Sequence, residues 1–269
     1  MSFLFRAARR RRRAGSATPS LSAQVEAMLA GTTGFALDPS DVTTMHQDTA
    51  RTVAVASASD PVGNIRSKWG TTTYDWSQGT AASRPAWDGV AGLSFDGVED
   101  HLLTFSDLSI AAGKDDVLVR LGAKVTSFVG TRALYNVGST SLTTGRFACF
   151  VPDTGAVQIF ARRNTESGTF CNSAASALTA ATKAVLTQKY KFTGSPTINS
   201  RKDGSQIANT DPFGVSAVTG GNSGRICLGM DVNLVNPLLG SIGRFVYCPF
   251  AVTDPQRLTI EAWVGETAL

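Results

Sequence analysis

The stretch GLSFDGVEDHLLTF, Gly92 to Phe105, sets Asp96, Glu99, Asp100 and His101 side by side between two apolar runs. Carboxylates so grouped do one of three things: move protons, hold a hard cation, or shape a turn. Asp96-Gly97 supplies the left-handed backbone position that a tight turn demands, so the turn is the favoured reading. Calcium takes several carboxylate and carbonyl oxygens. Asp96, Glu99 and Asp100 offer some of them, but the D-x-D-x-D-G spacing of a dedicated loop is missing, and calcium stays the minority reading. No other cofactor is expected.

Other chemistries have less to draw on. A glycoside hydrolase sets two carboxylates with separated pKa values across one cleft. No E-x-D-x-x-E run is present, and the nearest acidic runs, VEDHLL and GKDDVLV, fall at strand edges. A cryptic polysaccharide hydrolase is therefore disfavoured, and the chain is read as a non-enzyme. A Ser-His-Asp site has only His46 and His101 to use, with no G-x-S-x-G elbow. The four cysteines, Cys149, Cys171, Cys227 and Cys248, form no C-x-x-C pair, which argues against zinc. Cys149, Cys227 and Cys248 lie in apolar runs and read as small core residues. Cys171, in GTFCNS, is expected to be more exposed. Four free thiols are expected, as in a protein kept in a reducing cytoplasm.

Two groups speak to binding. Trp69, Tyr74, Trp76 and Trp87 fall in one loop-rich region. Exposed rings of this kind stack on sugar faces; the favoured alternative is that they are core plugs or interface anchors. The first fifteen residues, MSFLFRAARRRRRAG, carry six arginines and no acid. Removing those six from the 25 Lys and Arg leaves 19 against 21 Asp and Glu, so the body of the chain is slightly acidic. A surplus of positive charge for gripping nucleic acid is confined to the arm, and nucleic acid is the weaker reading. The arm is read as a docking segment: Phe3, Leu4 and Phe5 fill a pocket, while Arg6, Arg9, Arg10, Arg11, Arg12 and Arg13 pair with an acidic protein surface. No apolar h-region follows the arginines, and no stretch is long enough to span a membrane.

The elements that must carry these residues are mostly strands. Charged residues make up 17% of the chain, and 26 glycines help break it into short apolar runs. PSLSAQVEAMLAG predicts a helix over about 21–30, with Ser20 or Ser22 as cap and Gly31 as stop. The segment from Gly34 to Gly70 reads as turn-rich. TTYDWSQGTAASRPAWDGVAGLSFDGVEDHLLTF holds three candidate strands. Alternating runs continue through DDVLVRLGAKV, RALYNVGS, RFACFVP, AVQIFARR, AVLTQKYKFTG, PTINSRKDGSQI, GRICLGM and GSIGRFVYCPFAV. Asp203-Gly204 is a hairpin signal. VTDPQRLTIEAWVGE predicts a closing helix over 254–264, with Thr253 and Gln256 as a capping box, Pro255 in the first turn and Trp263 facing the core.

FALDPSDVTTMHQDTA, GTAASRPAWDGVAGLSFDGVEDHLLTF and the closing GSIGRFVYCPFAVTDPQRLTIEAWVGE resemble the concanavalin A-like, laminin-G-like domains of phage virion proteins. Glu99 stands where that pattern has Asp, and His101 where it has an aromatic. The resemblance runs from about Gly34 to Glu266, and the arginine arm lies outside it. It implies an all-β fold, a two-sheet antiparallel jelly-roll sandwich with a short helix at each end. It also implies carbohydrate binding or adhesion; it does not imply catalysis. The expected organisation is a basic arm over 1–20, a short helix and linker over 21–33, and the sandwich over 34–269. The expected role is a virion protein assembled in the host cytoplasm. Its arm fixes symmetric copies to a tail, baseplate or capsid, and its sandwich meets host glycans. The runner-up is a decoration protein that binds no sugar.

Overall fold

The computed structural model describes residues 18–104, 116–138, 146–162, 168–192, 197–210 and 224–267. The chain enters through α1 (Leu21–Leu29), whose cap is Ser20: its side chain accepts from the Ala23 N–H at 3.2 Å. Gly31, at φ +74°, turns the chain away beyond the helix. Short strands follow: β1 (Phe35–Leu37), β2 (Met45–His46), β3 (Asn64–Arg66), β4 (Asp75–Ser77), β5 (Ala86–Trp87), β6 (Leu93–Asp96) and β7 (Leu102–Thr104). The longer ones are β8 (Asp116–Val125), β9 (Arg132–Gly138), β10 (Arg146–Val151), β11 (Gln158–Arg162) and β12 (Thr169–Asn172). After them come β13 (Lys183–Lys191), β14 (Thr197–Lys202), β15 (Ser205–Thr210), β16 (Arg225–Leu228) and β17 (Leu239–Cys248). The chain closes with α2 (Asp254–Gly265).

All described pairings are antiparallel. One sheet runs β15-β14-β13-β8-β17-β6-β5, with β1 also on β17; the other runs β12-β11-β10-β9-β16-β7-β4-β3-β2. The two pack face to face, so the expected all-β jelly-roll sandwich with a short helix at each end is the fold of this chain. Tyr135, Tyr190, Tyr247, Phe35, Phe147, Phe245 and Trp76 fill the space between the sheets. Burial without charge compensation pushes the Tyr135 and Tyr190 hydroxyls well above their usual range, and they bond to each other at 2.8 Å.

The second face of the first sheet is half covered. β8 is buried along most of its length and β17 likewise, because helices lie over their outer sides. Leu118, Val185, Val246 and Cys248 meet Val25 and Leu29 of α1 and Ile260, Trp263 and Val264 of α2 in a separate core. Gln256 Oε1 accepts from the Thr253 N–H at 2.9 Å, the reciprocal half of the expected capping box. The edge strand β15 keeps mostly exposed or half-exposed side chains.

Several sequence expectations need correction. The turn-rich segment contains β1, β2 and β3, each two or three residues long and too short for alternation to register. The stretch expected to hold three strands holds four, β4 to β7. GTFCNS forms β12, and Cys171 is 1% exposed rather than open to solvent. It faces inward because it stands opposite Ile159, an inner-face residue of β11. All four cysteines are free and buried. Cys149 also stands opposite Ile159, on the other side, so Cys149 and Cys171 are two strands apart, about 10 Å, beyond disulfide reach.

Candidate functional site

The four rings read as a sugar platform do not form one. Trp76 alternates with the polar Asp75 and Ser77 on β4, which turns its ring inward, where it is fully buried 5.0 Å from Phe35. Trp87 is 9% exposed, and its indole N–H donates to the Pro39 carbonyl at 3.1 Å. Tyr74 tilts against Phe35, also at 5.0 Å. Trp69 packs on Trp263 of α2 at 5.1 Å and carries the Lys68 ammonium 5.4 Å from its ring centre. Core packing takes the faces of Trp76 and Trp87, while Tyr74 and Trp69 are half-buried. The polar-apolar-polar triplet DWS was the signal for the inward ring.

The acidic stretch is a turn, and it joins the two sheets, since β6 belongs to one and β7 to the other. Gly97 has φ +86°, and a Cβ there would meet the Leu239 Cβ at 2.8 Å. Asp96 Oδ1 accepts from the Val98 N–H at 2.9 Å, and Asp100 Oδ2 accepts from the Asp96 N–H at 3.0 Å. The His101 Nδ1 lies 2.8 Å from the Glu99 carbonyl, and Gln78 Nε2 lies 2.8 Å from His101 Nε2. A neutral ring protonated at Nδ1 satisfies both contacts. Burial pushes the Asp100 carboxyl up to about 6, the backbone donor opposes this, and the charges of Asp96 and Glu99 add to it. Among the described residues no three His, Cys, Asp or Glu side chains converge in a way that would hold a metal ion. Asp96 and Asp100 each give one carboxylate oxygen to the turn's own backbone.

Charge gathers differently where α2 begins. An open cleft of about 150 Å³ lies there against the uncovered part of the first sheet. β13 contributes Thr187 and Lys189, and β14 contributes Asn199 and Arg201. The segment entering α2 and its first turn contribute Val252, Asp254 and Arg257, and Leu118 of β8 forms part of the wall. The strand side chains point outward for a simple reason. Ile198 and Tyr190 face the core, so their neighbours Asn199 and Lys189 must face away.

Behind the cleft, Arg120 is fully buried. Its guanidinium donates to the Arg257 carbonyl at 2.7 Å, to Thr187 Oγ1, and to Glu261 Oε1 at 2.5 Å. Burial lowers its pKa to about 10, with Glu261 opposing and Arg257 adding to the shift. Arg257 itself binds Asp254 at 3.1 Å and Glu261 at 2.8 Å. Among the described residues Lys189 makes no ion pair, and Arg201 donates to the Gly204 carbonyl at 3.0 Å with no carboxylate partner. Of the four cations here, Arg120 and Arg257 pair with the described carboxylates Glu261 and Asp254. The sequence signs of this site are Lys189 in TQKYK and the outward Asn199 and Arg201 in INSRK, polar positions on strands that face away from the core. Phe3, Leu4, Phe5, Arg6, Arg9, Arg10, Arg11, Arg12 and Arg13, expected from the sequence to dock on a partner, lie outside the described residues. No described helix is long and apolar enough to cross a membrane.

No protein-family model matches the chain, and no curated protein matches it in sequence. Among solved structures it is similar to CBM40 of the Ruminococcus gnavus IT-sialidase bound to alpha2,3 sialyllactose. That match has 17% identity and a TM-score of 0.48, and covers 63% of this chain and 97% of that one. It is also similar to the heptameric SAP-like pentraxin of Limulus polyphemus, at 13% identity and TM-score 0.47, covering 61% and 77%. A third is the ligand binding domain of botulinum neurotoxin serotype D in complex with N-acetylneuraminic acid, at 9% identity and TM-score 0.49, covering 65% and 42%.

Proposed function

We propose that this chain is a non-catalytic attachment protein of a virion, and that its sandwich binds glycans on the host surface. The observation that carries the binding part is the open cleft beside α2. It combines cationic donors (Lys189, Arg201) and an amide (Asn199) on strands of the sheet with a carboxylate (Asp254) and an apolar wall (Val252) at the start of α2. Sugars need that mixture of donors, acceptors and apolar patches. The arginine-rich first fifteen residues and the sequence resemblance support the virion part, with the arm docking on other virion proteins. Single-site affinity for a glycan in so small a cleft is about millimolar, about −4 kcal/mol. Many copies on a particle raise the effective affinity by about a hundredfold or more.

The test has two arms. A glycan array probed with particles carrying the protein is expected to show binding that particles lacking it do not. Deleting Met1 to Gly15 is expected to leave a sandwich with unchanged melting temperature that no longer joins particles. Normal incorporation of the truncated chain would overturn the docking role. A second reading, a decoration protein that binds no sugar, is favoured by the burial of Trp76 and Trp87. A silent array with normal incorporation of the full chain would establish it.

A further inference from the structure

Resting on the glycan-binding reading, we infer that the cleft beside α2 selects an acidic sugar, with its carboxylate held by Lys189 and Arg201. Three observations converge on this ligand class. The first is unbalanced charge. Arg120 and Arg257 are neutralised by Glu261 and Asp254, while Lys189 and Arg201 keep theirs on a body that is otherwise slightly acidic. An unpaired ammonium and a guanidinium on the same outer sheet face, on adjacent strands, make a receptor for one anionic group. The first turn of the twelve-residue α2 lies beside them, and its positive dipole end adds to the same field.

The second is the presence of acceptors among the donors. Asp254 stands at the rim with its carboxylate 84% exposed, held on one side by Arg257. Asn199 donates its Nδ2 to Gln206 at 2.8 Å, which leaves its Oδ1 to accept from a ligand. Sulfate has no hydroxyl to give these acceptors, hydrogen phosphate has only one or two on one small ion that cannot also span the cleft to the cations, and Asp254 repels both. A sugar acid supplies hydroxyl donors to them while its carboxylate meets the cations. The third is the wall and the size. Val252, half-buried in the cleft wall, offers an apolar surface for the C–H face of a ring, with the buried Leu118 behind it. About 150 Å³ is below the range of drug-sized pockets, and suits one sugar unit at the end or side of a chain.

The full chain is titrated by calorimetry or NMR with glucuronate, galacturonate and N-acetylneuraminate. Galactose, glucose, inorganic sulfate, inorganic phosphate and a short single-stranded oligonucleotide serve as comparisons. The variants are Lys189→Ala, Arg201→Ala and, as a charge-matched control on the other sheet, Arg66→Ala. At least one sugar acid is expected to bind more tightly than every neutral sugar and inorganic anion. Lys189→Ala and Arg201→Ala are each expected to weaken it about tenfold or more, one charge-assisted contact. Arg66→Ala is expected to leave it unchanged, and unshifted melting temperatures show that the variants fold. Equal binding of sulfate or phosphate would overturn the sugar assignment, and displacement of the sugar acid by the oligonucleotide would overturn it in favour of nucleic acid. Neutral sugars binding equally well, and unaffected by Lys189→Ala, would overturn the acidic preference while leaving glycan binding intact. Silence toward every sugar here and on the array would remove both.

Discussion

Two charged clusters in this molecule were built in opposite ways. Asp96, Glu99, Asp100 and His101 are neighbours in sequence, and the fold uses Asp96, Asp100 and His101 to pin one crossing between sheets. The cations near α2 come from β8, β13, β14 and the helix itself, and two of them have no carboxylate partner among the described residues. The first cluster satisfies the backbone of a turn. The second leaves charge facing solvent in a cleft. Density of charge along the chain therefore points to the turn and misses the cleft. A binding site is better recognised by polar groups that the fold brings together and does not satisfy.

The contrast is broken most forcefully behind the cleft. Glu261→Ala leaves Arg120 buried with no carboxylate partner, and is expected to cost about 3–5 kcal/mol in denaturant unfolding. Glu261→Gln, which keeps an acceptor for the guanidinium, is expected to cost less. Equal, small effects of the two would mean that the pair matters little to the fold. On the other side, Gly97→Ala forces a side chain into a left-handed position against Leu239. It is expected to cost about 2 kcal/mol by the same measurement. A loss below about 0.5 kcal/mol would show that the turn relaxes freely.

Smaller effects sharpen the comparison. The Asp100 carboxyl has a pKa of about 6 in the folded chain against an ordinary 3.8, so ionising it opposes folding. Its penalty is absent below about pH 4, grows from there to about pH 6, and is complete above. Asp100→Asn keeps an acceptor for the Asp96 N–H and removes that penalty. It is expected to stabilise the protein by about 1 kcal/mol at pH 7.5 and by nothing at pH 3.5, read as melting temperature against pH. A gain of equal size at both pH values would refute the ionisation account. The smallest effect concerns metal. Millimolar calcium is expected to shift the melting temperature by less than about 1 °C. A rise of several degrees, abolished by Asp96→Asn, would make the acidic turn a calcium site after all.

What the sequence determined on its own is what short-range chemistry governs. Ser20 and Gly31 bound α1, and Thr253 with Gln256 starts α2, because caps satisfy backbone groups within one turn. Asp203 at φ 48° and Gly204 at φ 83° close the β14–β15 hairpin, because only a few residue types tolerate that geometry. The long strands β8, β13 and β17 and the burial of Trp263 were legible for the same kind of reason, a period of two or of 3.6. Tertiary structure decided the rest. Strands as short as β2 and β5 carry too few residues to show a period, and exist through partners distant in the chain. The crossing of β6 and β7 between sheets is invisible along the chain, since a turn looks alike whichever sheet follows it. Trp76 and Trp87 became core and not surface because neighbouring strands close over them. The cleft arose because α2 covers part of the outer sheet and stops short of β14, so that Lys189, Arg201 and Arg257 meet only once the sheet and the helix have packed.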